Sequence, residues 1–454
     1  MTRRLVFLLI SIALVLFPLY ISPKHFESKA SNGYPVRNID TGAVYMAVQE
    51  AIDANETLNG HTILIDPGTF YGSVVVHKSL SIIGNSKHDT TIIGNNTAVV
   101  INVAANNVTI EELTVSNGST GISVHNSRGS LVTNNILVDN INAVKMSHST
   151  NCAISHNIVI NSSRRGILVT NSENFTVSYN LVLNVAESWY GINANASSDG
   201  RIVKNDVAHT FFDGIGLLNS TGCTIAGNNI TDNMTFGIWI EDSFNNSIYH
   251  NNIIDSGITV TSSGNFWNSS REGNYWGDYV GVDADHDGIG DEPYTIDGES
   301  RDFHPLMGRF NSFDISPGHV VDVISNSTIE DFEYSEANNT IIMHVSNSSE
   351  GQTHGFCRVR IDHTLMTPTA ISVVIDNGSA PALHANYTLQ DDGAYKWIYF
   401  AYAHSTRRID IIPESPSILI LTPLAAGCLF TVFTRRHIRH QRLQTDESKL
   451  TNEN

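Results

Sequence analysis

Between residues 101 and 274, apolar and polar positions alternate over stretches of only about two to four residues, and the alternation restarts about every 20 to 25 residues. Such runs are too short for amphipathic helices. Two markers keep a common register. A small residue precedes an aliphatic one at Gly121-Ile122, Ala143-Val144, Gly166-Ile167, Gly191-Ile192, Gly214-Ile215, Gly237-Ile238 and Gly257-Ile258. An asparagine follows an aliphatic residue by three positions at Asn135, Asn157, Asn180, Asn205, Asn228 and Asn251. Each unit therefore reads as a coil of short strands joined by turns. One coil cannot bury its apolar side alone, whereas stacked coils bury a continuous interior and pair their backbone groups between rungs. The pattern predicts an all-β chain built on a parallel β-helix, with Ile167, Ile192, Ile215 and Ile238 pointing inward as one stack. A leucine-rich horseshoe shares the period but needs a Leu-x-x-Leu-x-Leu signature that is absent. The ladder asparagines read as turn residues, because asparagine tolerates left-handed backbone and its amide can bond its equivalent one rung away.

Ahead of the coils, Val44, Ala47, Val48, Ala51 and Ile52 recur at helical spacing and predict a helix over residues 41–55, capped by Asp40 or Thr41. Such a helix covers the open first rung. From residue 315 to 412 the repeat gives way to alternating runs at 324–329, 341–345, 357–361, 371–375, 397–401 and 409–412. With turn signals at Asn377-Gly378 and Asp392-Gly393, these predict a small antiparallel β-sandwich of about six or seven strands.

At one end Arg3 and Arg4 precede an apolar run at 5–21, the layout of a signal peptide or uncleaved anchor, with a small-x-small site at Ser28-Lys29-Ala30. At the other, residues 418–433 are apolar apart from two threonines and are followed by Arg435, Arg436, His437, Arg439 and Arg442. That basic flank marks the cytoplasmic side of a C-terminal transmembrane helix, which puts the bulk of the chain at the cell surface. The implied organisation is a signal or anchor at 1–30, a β-helix with its capping helix and Asp-rich loop at 35–310, a sandwich at 315–412, a membrane helix at 416–434 and a tail at 435–454.

Composition narrows the function classes. Only 16% of the chain is charged and the net charge is −19, which argues against a nucleic-acid or anionic-lipid binding surface on the main body, because phosphate affinity requires clustered Lys and Arg. Cys152, Cys223, Cys357 and Cys428 show no C-x-x-C spacing, which excludes thiol redox centres, zinc ribbons and haem attachment. About seventeen N-x-S/T tripeptides are consistent with an exported surface.

The run at 47–84 (AVQEAIDANETLNGHTILIDPGTFYGSVVVHKSLSIIG), the coils with Asn-x-Ile-x-x-Asn and Gly-Ile-x-Val, and the closing Asn274-Tyr275-Trp276-Gly277-Asp278-Tyr279 resemble NosD-type right-handed parallel β-helix proteins, over roughly residues 40 to 307. The resemblance implies right-handed coiling and kinship with the pectin-lyase-like group of carbohydrate-binding and sugar-hydrolase repeats, of an archaeal cell-surface type. It also implies a part in assembling a copper enzyme. The chain has no Met-rich, His-x-x-x-His or Cys-x-x-x-Cys cluster of the kind that holds copper.

Two places hold candidate chemistry. Asp283-Ala284-Asp285-His286-Asp287-Gly288-Ile289-Gly290-Asp291 is a D-x-D-x-D-G-x-x-D loop, in which alternating carboxylates on a Gly turn aim at one centre. The carbonyl of Ile289 and the carboxylate of Asp291 would add ligands for calcium, while Tyr294 stands where a bidentate Glu is expected and Asp297 or Asp302 would have to substitute. An acidic turn that merely solvates is the other reading. Second, the register stacks Arg165, Tyr190 and Asp213 in a short solvent-side column beside Trp189 and Phe212, with Trp239 and Glu241 forming another aromatic and acidic patch. Aromatic faces flanked by ionisable groups suit a sugar site. A polysaccharide lyase would use an Arg as base, and a glycoside hydrolase would need two carboxylates about 5 to 9.5 Å apart. The expected function is binding, or processing, of polysaccharide at the cell surface. A surface-layer or adhesion protein without a small-molecule site, and the copper-centre assembly factor that the resemblance implies, stand as alternatives.

Overall fold

The computed structural model describes residues 35–186, 190–233, 235–260, 262–366, 370–376, 383–403 and 406–413. It divides into one unit of residues 1–201 with 205–220 and a second of 202–204 with 221–454.

In the first unit each coil contributes three short strands, such as Leu131–Thr133, Ile136–Val138 and Asn142–Ser147, followed by Ala153–Ser155, Ile158–Ile160 and Arg165–Thr170. Equivalent strands pair in parallel. Val132 is the register partner of Ile154, and Ile154 of Val177; on the other two sheets Leu137 pairs with Val159, and Val144 with Ile167. The predicted inward stack is present, with Ile167 against Ile192, Ile192 against Ile215, and all three fully buried. In the second unit Ile238 is likewise fully buried and pairs with Ile258. These coils form a parallel β-solenoid.

From residue 126 onward, successive coils each turn through four residues with left-handed backbone. In one coil these are His148, Asn151, His156 and Asn161, and in the next Asn171, Asn174, Tyr179 and Asn184, all with φ between 48° and 57°. Asparagine dominates because its short polar side chain lowers the cost of that conformation. The ladder asparagines themselves are not the left-handed residues, which corrects the sequence reading: the residue before each one turns. The ladder side chains instead point inward and are at most 1% exposed. Nδ2 of Asn135, Asn157 and Asn180 donates to Oδ1 of the next member at 3.1, 3.0 and 3.0 Å, and that same oxygen accepts the backbone N–H. A serine ladder does similar work, with the backbone N–H of Ser127, Ser149, Ser172 and Ser197 donating to the hydroxyl one coil on.

The helix expected at 41–55 is confined to Val48–Asp53, and its N-cap, Ala47, supplies no side-chain cap. Residues before it form a hairpin instead: Val36–Asn38 pairs antiparallel with Val44–Tyr45 on one side and with Thr62–Ile65 on the other. The turn is closed by Asn38 N–H to Ala43 O and Gly42 N–H to Asn38 O. Strand pairing at an open sheet edge gains more backbone hydrogen bonds than one extra helical turn would. Val48, Ala51 and Ile52 are buried, as expected.

In the second unit the last coils end at Tyr275–Trp276, which pairs with Asn252 and Ile253. Its asparagine ladder runs Asn228, Asn251, Asn274 and finishes on Asp302. That carboxylate is fully buried and accepts from Asn274 N–H at 2.7 Å, Trp276 Nε1 at 2.9 Å and His304 N–H at 3.0 Å. Two five-stranded antiparallel sheets follow. One contains Arg309–Ser316, His319–Ser325, His354–Asp362, Tyr395–Ala403 and Tyr387–Asp391; the other Thr328–Ser335, Thr340–Ser346, Arg407–Pro413, Ile371–Asp376 and Leu383–His384. Both contribute to one core that includes Val323, Val359 and Ile398 from the first and Ile341, Val373 and Ile411 from the second. The apolar run at 324–329 is not a strand, because Asn326 and Ser327 carry the chain from one sheet to the other. Asp392-Gly393 does turn, with Gly393 at φ 87°, whereas Asn377-Gly378 lies outside the described residues. Among the described residues no helix is long and apolar enough to cross a membrane; both terminal apolar runs lie outside them.

Candidate functional site

The column expected at the coil corners forms in register. Arg165 opens the strand Arg165–Thr170, Gly166 N–H donates to Tyr190 O at 3.4 Å, and Gly191 N–H to Asp213 O at 2.9 Å. It is not a solvent-side column. Asp213 is fully buried and Tyr190 only 7% exposed, its ring lying over Gly216, where an added Cβ would come within 2.6 Å of the ring. Phe212 meets Tyr190 edge-to-face at 6.2 Å. Arg165 is half-buried, and burial, with the charge of Arg164, lowers its guanidinium pKa while Tyr190 opposes the shift. Trp189 lies outside the described residues. In the second unit Trp239 Nε1 donates to Glu241 Oε2 at 3.3 Å, with Phe236 5.6 Å from the indole.

Outward positions on the strands Thr120–His125, Asn142–Ser147, Arg165–Thr170 and Ile192–Asn195 carry Ser123, His125, Asn142, Lys145, Arg165, Thr170 and Asn195. Among the described residues of these four strands there is no carboxylate.

The acidic loop belongs to the second unit. Ligand oxygens of Asp283, Asp285 and Asp287 all lie within 4.8 Å of one another. The loop is held by its own backbone: Asp283 accepts from Asp287 N–H and Gly288 N–H, both at 3.0 Å, and Asp287 Oδ1 from Ile289 N–H at 2.8 Å. Asp291 accepts Ala284 N–H at 2.7 Å, which closes the loop. Left-handed His286 and Gly288 make the turn. Burial, and then the neighbouring charges of Asp285 and Asp283, raise the Asp287 pKa against hydrogen bonding and Arg358. Of the two suggested substitutes for the missing Glu, Asp302 caps the asparagine ladder, and Asp297 Oδ1 accepts the N–H groups of Glu299 and Ser300.

A buried ionic cluster that the sequence reading missed adjoins this loop. Glu272 accepts from Arg358 Nε at 3.1 Å and lies 2.9 Å from His250 Nε2, and all three side chains are at most 11% exposed. Arg358 also donates through Nη1 to the Asp287 carbonyl at 2.7 Å. His250 stacks on Phe310 at 4.1 Å.

Residues 54–281, half of the chain, match the family model described as periplasmic copper-binding protein (NosD). The chain belongs to the NosD family. This NosD-family chain is also 31% identical, over 83 residues, to a cell surface glycoprotein of Methanothermus fervidus; the match covers 18% of the chain and 14% of the relative's length. Among solved structures it is similar in fold to the periplasmic alginate epimerase AlgG, at 14% identity and TM-score 0.35, over 47% of this chain and 72% of that one. The enzymatically active domain of bacteriophage CBA120 tailspike protein 2 matches at 14% identity and TM-score 0.35, over 79% of this chain and 67% of that one. Among the described residues, the one group of three or more histidine, cysteine or carboxylate side chains that could hold a metal ion is Asp283, Asp285 and Asp287, an all-oxygen set.

Proposed function

We propose that this NosD-family chain is a membrane-anchored cell-surface β-solenoid that binds polysaccharide on the face formed by the strands Thr120–His125, Asn142–Ser147, Arg165–Thr170 and Ile192–Asn195. The observation that carries the reading is that face itself, where Lys145 and Arg165 stand among hydroxyl and amide side chains without a carboxylate on the four described strands, in a chain of net charge −19. Ammonium and guanidinium donors on adjacent rungs suit a ligand rich in hydroxyl or carboxylate oxygens. Binding is favoured over cleavage because Asp213 is fully buried and no carboxylate pair adjoins it on those strands. The likeness to a cell surface glycoprotein supports the location, and the apolar run at 418–433 with its basic flank supports the anchor. In intact cells, a labelled acidic polysaccharide should be captured, and external protease should abolish capture while sparing a tag placed after Asn454. Lys145→Ala with Arg165→Ala should weaken capture at least about tenfold, a loss of about 1.4 kcal/mol. Unchanged capture by that variant would favour the adhesion reading, and a tag digested from outside would overturn the topology.

Calcium at the Asp283, Asp285 and Asp287 cluster completes the reading. Three converging carboxylates repel one another, and a divalent cation would relieve that repulsion. Calcium at a hundredfold excess over Kd should raise unfolding free energy by about 2.7 kcal/mol. Asp285→Ala, at an exposed position, should remove the increment while leaving the chelator-treated melt unchanged. A wild-type melt indifferent to calcium and chelator alike removes the metal.

A further inference from the structure

The turn between the strands Thr90–Ile93 and Val99–Val103 carries Asn95-Asn96-Thr97, an N-x-T tripeptide whose three residues are all exposed. The turn is fixed to the next coil by Gly94 N–H to Ser116 O at 2.8 Å and Asn96 N–H to Asn117 O at 2.6 Å, with Asn96 at φ 65°. Within it the Asn95 amide oxygen accepts three hydrogen bonds: from the Thr97 hydroxyl at 2.8 Å, Thr97 N–H at 3.1 Å and Ala98 N–H at 3.3 Å. Among the described residues nothing engages Asn95 Nδ2. The oxygen of the amide is therefore held and polarised by the residue two positions on, while its nitrogen faces solvent.

We propose that Asn95 is an N-linked glycosylation site, pre-arranged by the Thr97 hydroxyl as acceptor for a lipid-phosphate-linked oligosaccharide. In the transfer Nδ2 bonds to the anomeric carbon of the sugar, the bond from that carbon to the lipid phosphate oxygen breaks, and the phosphate leaves with the electron pair. One Nδ2 proton passes to a base of the transferase. Donation into Oδ1 makes that proton easier to lose, and a rigid turn removes the ordering cost of presenting the amide. Four other tripeptides of this kind lack one part of the arrangement. Nδ2 of Asn161 is donated to Asp139 and that of Asn174 to Asn151, while Nδ2 of Asn326 is donated to the His354 carbonyl. Asn233 is only 4% exposed. The tripeptide marks an acceptor only on an exported surface loop, so the proposal shares the cell-surface location argued above but is independent of polysaccharide binding.

The full chain, purified from its native host, is digested and its glycopeptides are mapped by mass spectrometry, with intact-protein melting recorded in parallel. Asn95 should carry glycan at higher occupancy than Asn161 or Asn174, and Asn233 should be bare. Thr97→Ser, which keeps the hydroxyl, should retain most of the occupancy, whereas Thr97→Ala and Asn95→Gln should lose it, all three melting like the wild type. A bare Asn95 in the wild type, or equal occupancy at Asn95 and Asn174, overturns the proposal. Failure of polysaccharide capture with Asn95 occupied would count against the binding reading alone.

Discussion

Ile215→Asp should abolish the cooperative thermal transition of the first unit. Ile215 sits fully buried in a stack that continues through Ile192 and Ile167 on successive coils, so a carboxylate there has aliphatic neighbours and no room for water. Burying an unpaired charge costs more than the side chain's hydration can return, and the group must either protonate or force the coil open. A loss of more than about 4 kcal/mol is expected, comparable to the whole stability of many domains. Because each coil contacts only its neighbours, the damage should spread along the repeat rather than stay at one rung. Ile215→Val, which removes one methylene from the same stack, should cost only about 0.5 to 1.5 kcal/mol. Circular dichroism melts of the two variants separate burial from mere substitution. A wild-type melting temperature in Ile215→Asp would mean that this register is wrong.

That register was legible because it is written locally. Gly121-Ile122, Ala143-Val144, Gly166-Ile167 and their successors fix both the period and the inward phase, and each pairing from Ile122 to Ile215 follows from counting. The asparagine ladder was legible as a ladder but not in its role, since sequence shows that asparagine recurs without showing which of two adjacent residues takes the left-handed turn. Helical spacing at 44–52 was genuine, yet the competition with strand pairing at an open edge depends on Thr62–Ile65, which a local pattern does not include. Arg165, Tyr190 and Asp213 were placed in the right order on the right coils, while their burial was not readable, because it depends on which side chain folds over Gly216. Asp302 looked like a spare metal ligand because all aspartates look alike in sequence. The Glu272 and Arg358 pair is separated by 86 residues and by a change of architecture, and carries no local signal.

That pair should give a large pH effect on stability. Burial alone pushes the Glu272 carboxyl pKa up, but the His250 hydrogen bond and the charges of His250, Arg358 and Arg360 outweigh it and hold the pKa at about 2. In the unfolded chain the same group titrates near 4.5. The folded state therefore holds the ionised form more tightly, and the stabilisation is fully present above about pH 4.5 and disappears as the pH falls through 2. The shift corresponds to about 3 kcal/mol. Glu272→Gln removes this contribution and leaves Arg358, only 4% exposed, with Asp287 Oδ2 at 3.4 Å as its remaining carboxylate, which should cost about 3 kcal/mol at neutral pH. Adding Arg358→Met should recover much of that loss, because the double variant buries no unpaired charge. Urea unfolding of the full chain at pH 7, 4.5, 3 and 2 reads both effects, followed by tryptophan fluorescence. Two features are required: a wild-type free energy that falls from pH 4.5 to 2, and a Glu272→Gln profile that falls less over that range, the remaining slope coming from carboxylates such as Asp297, Asp362 and Asp392 whose pKa values hydrogen bonding also lowers. A variant with wild-type stability at pH 7 would mean that the cluster is solvated and that the sandwich is held at the end of the coils by the Asn252 and Phe310 backbone bonds instead.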